Sequence, residues 1–234
     1  MNGEAYDRLW KNAWGDLQHL GPVHRHQRAA LVSLVAKLGV RSVLDVGCGS
    51  GENLAALVQT MPHLALSGAD VSPQALALAA RRVPNARLHE LDAQRDKLDE
   101  RFDLVIASQV IEHLSDDVAA LRNMAAMAER WVLVTTMRGR MRRSEAAIGH
   151  FRNYSDDELR QKAASAGLEV VDLFGWGFPF YSPLYRTVIE WLPGGPPQGP
   201  MGKGQRWVAS FLYLLYYLNV PRQGDVVTML ARCR

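Results

Sequence analysis

Asp45 and three glycines, Gly47, Gly49 and Gly51, crowd into the stretch "SVLDVGCGSGENL" between Ser42 and Leu54. An apolar run ends in a carboxylate, a turn follows whose glycines let backbone approach a ligand closely, and a helix begins. In an open parallel sheet, ligands dock beside such a turn, outside the carboxyl ends of the strands. Asp70 follows Gly51 by about the 20 residues that separate a glycine turn from the acid binding two ribose hydroxyls. The spacing here is G-x-G-x-G, not the dinucleotide pattern G-x-G-x-x-G, and Asp45 stands two residues ahead of it. A carboxylate there would repel a pyrophosphate and suits a ligand carrying a positive amino group. That points away from a nicotinamide cofactor.

Other residues with chemical potential are weaker. His24 and His26 are two positions apart, so they do not share a helical face, and no cysteine or acid cluster completes a ligand set. No protein-bound metal is expected. Tyr6, Trp10 and Trp14 recur at helical spacing and form either a packing face or a lid that excludes water. The run "RGRMRR" places four arginines, Arg138, Arg140, Arg142 and Arg143, in six positions. It reads as a solvated loop or as a basic mouth to a cleft.

The elements that must position these residues alternate. Helical spacing between Arg28 and Leu38 ends at Gly39, a natural stop. Then come a strand in "SVLDVG", a helix near Glu52 to Thr60, a strand ending at Asp70 and a helix in "PQALALAARR" with proline at its first turn. Further strands read as "ARLHELDA", "FDLVIASQV" and "RWVLVTTM", with helices around Glu112 and through "SDDVAALRNMAAMAER". Ser155 and Glu158 read as a capping box opening another helix, and Gly167 closes it. The last strands are "LEVVDLFG" and "DVVTMLAR". Strand–helix alternation implies an α/β fold, a doubly wound parallel sheet covered on both faces.

The chain has 234 residues, 48% hydrophobic and 22% charged, with net charge +3 and two cysteines, Cys48 and Cys233. That suits one α/β domain without a disulfide framework, and it gives no case for a nucleic-acid partner. The first residues lack a signal-peptide pattern, and the most apolar segment, Trp207 to Val220, falls short of the roughly 20 residues that cross a bilayer. The expected compartment is cytoplasmic. Between Gly175 and Gly224 lies a connection of roughly 50 residues, far beyond the usual length, rich in aromatic residues, proline and glycine. It reads as an elaboration that covers something.

The ordered set "VLDVGCGSG", "GADVS", "LDA" and "FDLVIASQVIEHL" resembles the class I S-adenosylmethionine-dependent methyltransferases, in particular a small-molecule branch with "EHL" after the fourth strand. The resemblance covers about Arg41 to Met137, with a looser likeness in "GHFRNYSDDELRQKAASAGLEVVDLF". It implies a Rossmann-like, mostly parallel seven-stranded sheet with an antiparallel last strand, and S-adenosylmethionine as cofactor. It implies that Gly47, Cys48, Gly49 and Gly51 line the amino-acid end of that cofactor, with Asp45 near the ammonium or holding the turn. Asp70 would take the ribose hydroxyls, Val71 would pack on adenine, Asp92 and the Ala93 amide would read its edge, and Ser108 and Gln109 would lie under the methionine portion. The resulting division is an N-terminal helical cap over residues 1–40, a core over 41–175, a substrate-covering insertion over 176–224 and the last strand over 225–234.

Methyl transfer is an in-line displacement that depends mainly on alignment, and a base is needed only for a protonated acceptor. His113 is the first candidate for that base, or else a packed histidine; Glu112 either orients a cation or occupies a helix start. His150 and Tyr154 either close over the acceptor or pack a loop. The expected function is methylation of a small, apolar or amphipathic acceptor, anionic if the arginines bind it. Alternatives are another S-adenosylmethionine-using transferase, or a cofactor-binding regulator without turnover whose aromatic insertion meets a second copy of the chain or a membrane surface.

Overall fold

Alternating apolar strands and one-sided helices bury their faces together only if the helices cover both sides of a sheet. The structure, a computed structural model describing residues 15–191 and 199–233, has that arrangement. The Tyr6, Trp10 and Trp14 stripe lies outside the described residues. In chain order the elements are α1 (Gly15–Leu20), α2 (Pro22–Leu38), β1 (Ser42–Val46), α3 (Glu52–Thr60), β2 (Ala65–Asp70), α4 (Pro73–Arg82), β3 (Arg87–Glu90) and β4 (Phe102–Ser108). There follow α5 (Asp117–Met127), β5 (Ala128–Met137), α6 (Arg143–Ala147), α7 (Asp156–Ser165), β6 (Leu168–Trp176), α8 (Arg186–Trp191), α9 (Lys203–Leu215) and β7 (Val226–Cys233).

The seven strands run in the order β3-β2-β1-β4-β5-β7-β6. The first five are parallel, and β7 is antiparallel to both neighbours. Side chains alternate across the sheet, so Leu44, Val46, Val105 and Ala107 pack under α5 and α7, while Val43, Leu104, Ile106 and Leu133 pack under α2 and α3. Strand order reverses between β1 and β4, which opens a crevice at their carboxyl ends.

Local signals explain most element ends. Gly39 adopts φ 60° and stops α2, and the Ser72 hydroxyl accepts the Ala75 amide at 3.1 Å to cap α4. At α7 the Ser155 hydroxyl accepts from Glu158 N, while the Glu158 carboxylate lies 3.8 Å from Lys162, so one arm of the expected capping box forms. Helix α2 begins at Pro22 rather than Arg28, because proline at the first helical position extends the helix ahead of the clear apolar spacing. Around Glu112 the expected helix is a single 3₁₀ turn, Ile111–His113.

The long connection between β6 and β7 is structured. Its apolar residues split by helical face: Tyr216 is buried, whereas Trp207, Phe211, Leu214, Tyr217 and Leu218 are exposed. The expected apolar wall from "FLYLLYYL" is therefore only partly directed inward, since a helix cannot turn consecutive side chains to one side. Inward, Tyr213 carries Arg25 over its ring at 3.5 Å and its carbonyl accepts from His26 at 2.8 Å, binding α9 to α2. Among the described residues no helix is long and apolar enough to cross a membrane.

Arg186 fastens this layer to the core. It is buried, and its guanidinium pairs with both Glu145 and Asp225, the latter also accepting from Ser182. Removing the cation leaves the buried Glu145 without its guanidinium partner. Arg186→Met is expected to destabilise the fold by about 2–4 kcal/mol, the lower figure reflecting the partial exposure of Asp225; a melting temperature within a degree of wild type would show the pairs to be dispensable.

Candidate functional site

The glycine turn sits in the crevice at the end of β1. Gly47 N and Cys48 N both donate to the Ala69 carbonyl, at 2.7 and 3.0 Å, and Gly49 N donates to Asp70 Oδ2 at 2.8 Å. Gly47 has φ 68°, and a Cβ there would lie 2.4 Å from Val110 Cγ2. Gly51, at φ 78°, starts α3, and a Cβ on it would press against Ala79 at 3.2 Å. So two of the three glycines are required by backbone conformation and close packing at once. The Cys48 thiol is turned into the core, 2.9 Å from where a Cβ on Gly68 would stand, and burial pushes it well up. Only the backbone of Cys48 faces the turn.

Asp70 holds the turn and the next helix together, accepting Gly49 N on one oxygen and Ser72 N, at 2.9 Å, on the other. Val71 beside it is half-buried. Across the crevice Asp92 accepts the Gln94 amide at 3.0 Å and Ala93 is buried, its carbonyl bound by Asn123 at 2.9 Å.

Asp45 is fully buried. One oxygen accepts from Asn53 at 3.4 Å and Oδ1 has no hydrogen-bond partner. Burial raises its pKa to about 7, opposed by Asn53 and assisted by the charge of Asp70. An uncompensated carboxylate beside an open backbone turn is a receptor for a cationic group.

At the end of β4 the Ser108 hydroxyl accepts from Thr135 at 2.8 Å, and Gln109 takes φ 58°, a left-handed conformation uncommon for a residue with a side chain. Its side-chain Nε2 is buried without a partner. The 3₁₀ turn then brings Glu112 and His113 inward. Thr136 donates to Glu112 Oε2 at 2.7 Å, and burial lifts the Glu112 pKa to about 7. His113 meets His150 edge to face, with ring centroids 4.5 Å apart. Burial drives His113 down to about 3 and holds His150 low as well. A protonated His113 is therefore disfavoured, which weakens its reading as a general base. Phe151 N donates to the Glu112 carbonyl at 2.8 Å, fixing one loop on the other.

Tyr154 is not part of this meeting. Its hydroxyl is committed to Asp117 at 2.8 Å and to the Ile111 carbonyl at 3.0 Å, and burial with the Asp117 charge raises its pKa. It braces the 3₁₀ turn from below, with Asp117 further held by Arg152 and Lys162 at 2.9 Å each. The arginine run is likewise partly engaged: Arg138 grips Asp156 with both carboxylate oxygens at 2.9 Å, and Arg142 donates to Thr187 at 3.3 Å. His24 is half-buried and desolvation lowers its pKa to about 4, whereas His26 sits among Trp176, Tyr213 and Tyr217. An apolar cavity opens beside His26, lined by Leu34, Leu133, Thr135, Trp176 and Thr228. Sequence spacing missed the convergence of Glu112, His113 and His150, because the loop carrying His150 has no periodicity.

A family model described as a methyltransferase domain matches residues 44–130. The trans-aconitate 2-methyltransferase of Methylobacterium nodulans is 31% identical over 203 residues, covering 77% of this chain and 78% of that enzyme. The corresponding enzyme of Enterobacter sp. is 31% identical over 99 residues, 42% of this chain; the matched stretch spans only 39% of that relative's length. Among solved structures, an N-methyltransferase from Bradyrhizobium japonicum in complex with S-adenosylhomocysteine superposes with TM-score 0.63 at 17% identity, covering 99% of this chain and 97% of that one.

Asp45 is stabilised by protonation in the folded state, since its pKa of about 7 lies above the ordinary 3.8. The protein therefore loses stability as pH rises from about 4 towards 7 through this group. Asp45→Asn is expected to raise the melting temperature by about 2–4 °C at pH 8 and to give little gain at pH 5; an equal effect at both values would mean that charge is not the cause.

Proposed function

The chain belongs to the class I S-adenosylmethionine-dependent methyltransferase family, and from that premise we propose that it methylates a small-molecule acceptor using S-adenosylmethionine. When bound, that cofactor supplies an electrophilic methyl carbon on a sulfonium. The observation that carries the reading is the buried, unpartnered Oδ1 of Asp45 beside the glycine turn, on the strand next to the one that ends in Asp70. Asp45 would take the ammonium and the Gly47–Gly51 backbone would enclose the amino-acid arm. Asp70 would bind the ribose hydroxyls, Val71 and Ala93 would enclose the adenine, and Asp92 would read its edge. Gln109, with its strained backbone and unpartnered amide, would lie under the methionine portion next to Ser108.

The acceptor would enter between the ends of β4 and β5. Glu112, His113 and His150 line one side, and the cavity walled by His26 and Trp176 lines the other. The N-terminal helices and the insertion then act as a cover over the core of residues 41–175 and 225–234, although β6 runs on to Trp176, one residue past the proposed boundary. An amphipathic acceptor suits this mixture of apolar wall and polar floor. Curated relatives named as trans-aconitate methyltransferases support an acceptor bearing carboxylates, and Arg140 and Arg143 are the exposed members of the arginine run available to meet one.

Incubation with S-adenosylmethionine and a set of carboxylic acids and phenols should yield S-adenosylhomocysteine with at least one of them; no turnover with intact cofactor binding would favour a regulator. Cofactor binding itself carries a signature. An ammonium beside Asp45 favours its ionised form, so the affinity for S-adenosylhomocysteine should rise about tenfold per unit as pH approaches 7 from below, and flatten above. Calorimetry showing constant affinity between about pH 5.5 and 7.5 would remove Asp45 from the cofactor site.

A further inference from the structure

Three donor groups from two loops meet at the end of β4: Glu112, His113 and His150 each offer a ligand atom, all within 4.8 Å of one another, and all three residues are buried. We infer that this cluster is a divalent-cation site of the zinc class, with two imidazoles and one carboxylate as ligands and an open position facing the acceptor.

The first support is the donor chemistry. Two imidazole nitrogens and a carboxylate oxygen are a ligand set that zinc and its neighbours accept, and three protein ligands leave a fourth position for a small molecule. A second observation is independent of spacing. Glu112 Oε1 and His150 Nδ1 are buried without hydrogen-bond partners, although groups of that kind are costly to leave unsatisfied. Among the described residues no ion pair is formed by Glu112, and Arg186 is taken by Glu145 and Asp225. A cation between the three would satisfy both orphaned atoms and the buried charge together.

The surroundings are those of a built site. Thr136 holds the other Glu112 oxygen, orienting the carboxylate. The Phe151 amide ties the His150 loop to the Glu112 carbonyl, and His113 N and His150 N are held at 2.9 and 3.1 Å by Val110 O and Glu145 O. A closed tetrahedral site needs ligand atoms roughly 3.3 Å apart, so side-chain adjustment of about an ångström completes it.

The open position rests on the methyl-transfer reading only for what it receives. There, a hydroxyl or carboxyl oxygen of the acceptor would coordinate the cation. A coordinated hydroxyl becomes more acidic and gives its proton to solvent water, leaving the oxygen lone pair free to attack.

The test uses the untagged full-length protein, stripped with chelator and titrated with Co²⁺. The expected result is one equivalent bound, with the intense visible bands of a four- or five-coordinate site, displaced by Zn²⁺. His150→Ala and Glu112→Gln should each weaken Co²⁺ binding about 100-fold or more, while S-adenosylhomocysteine affinity in His150→Ala stays at the wild-type value and certifies the fold. Absence of Co²⁺ binding in wild type that still binds S-adenosylhomocysteine overturns the metal site and leaves the methyltransferase reading standing. Co²⁺ binding that persists unchanged in both variants also overturns it. Failure of wild type to bind S-adenosylhomocysteine would count against the proposed function instead.

Discussion

Everything in this protein's cleft follows from the reversal of strand order between β1 and β4. The crossover helices leave to opposite faces there, so no helix closes over the carboxyl ends of the two strands. Backbone and side chains that would elsewhere be covered stay accessible at that edge. The glycine turn fills the space so tightly that Gly47 touches Val110, the residue that leads into the 3₁₀ turn carrying Glu112 and His113. That close approach therefore couples the glycine turn to the 3₁₀ turn.

Two buried carboxylates flank that contact. Asp45 lies on the face packed by α2 and α3, and Glu112, joined to Thr136, lies towards the face packed by α5 and α7. Burial lifts both to about pKa 7. A fold selected only for stability would replace such groups by apolar ones, which pack at lower cost. In the proposed reading an ammonium would meet Asp45 and a divalent cation would meet Glu112. Tyr154 and Asp117 brace the 3₁₀ turn from behind, so the acceptor-side carboxylate is held in place rather than free to move to water.

The cover over the crevice is held by polar contacts as much as by apolar ones. Arg186 ties the β6–β7 connection to Glu145 and Asp225, and Asp16 of α1 accepts from the Met201 amide and Arg206 at 2.9 and 3.0 Å. With the outer face of α9 exposed, the layer does not derive its position from burying its most apolar stripe. Its inward aromatic residues, gathered around His26 and Trp176, set the shape of the cavity where an acceptor would lie.

Read alone, the sequence determined the strands and helices of the core, the glycine turn and its relation to Asp70. Those features are encoded within single strand–turn–helix units, where side-chain period, proline, glycine and cap residues act over a few positions. It also made Asp45 and the order of the later motifs legible, since each sits at a strand end whose place follows from the alternation. It could not show that Glu112 and His113 face His150, that Tyr154 is a brace, or that His26 belongs to an aromatic cluster with α9. Those pairings join segments tens to nearly two hundred residues apart, through loops with no periodic signal. Tertiary structure alone decides them, because the positions of such loops are set by what the completed sheet leaves uncovered.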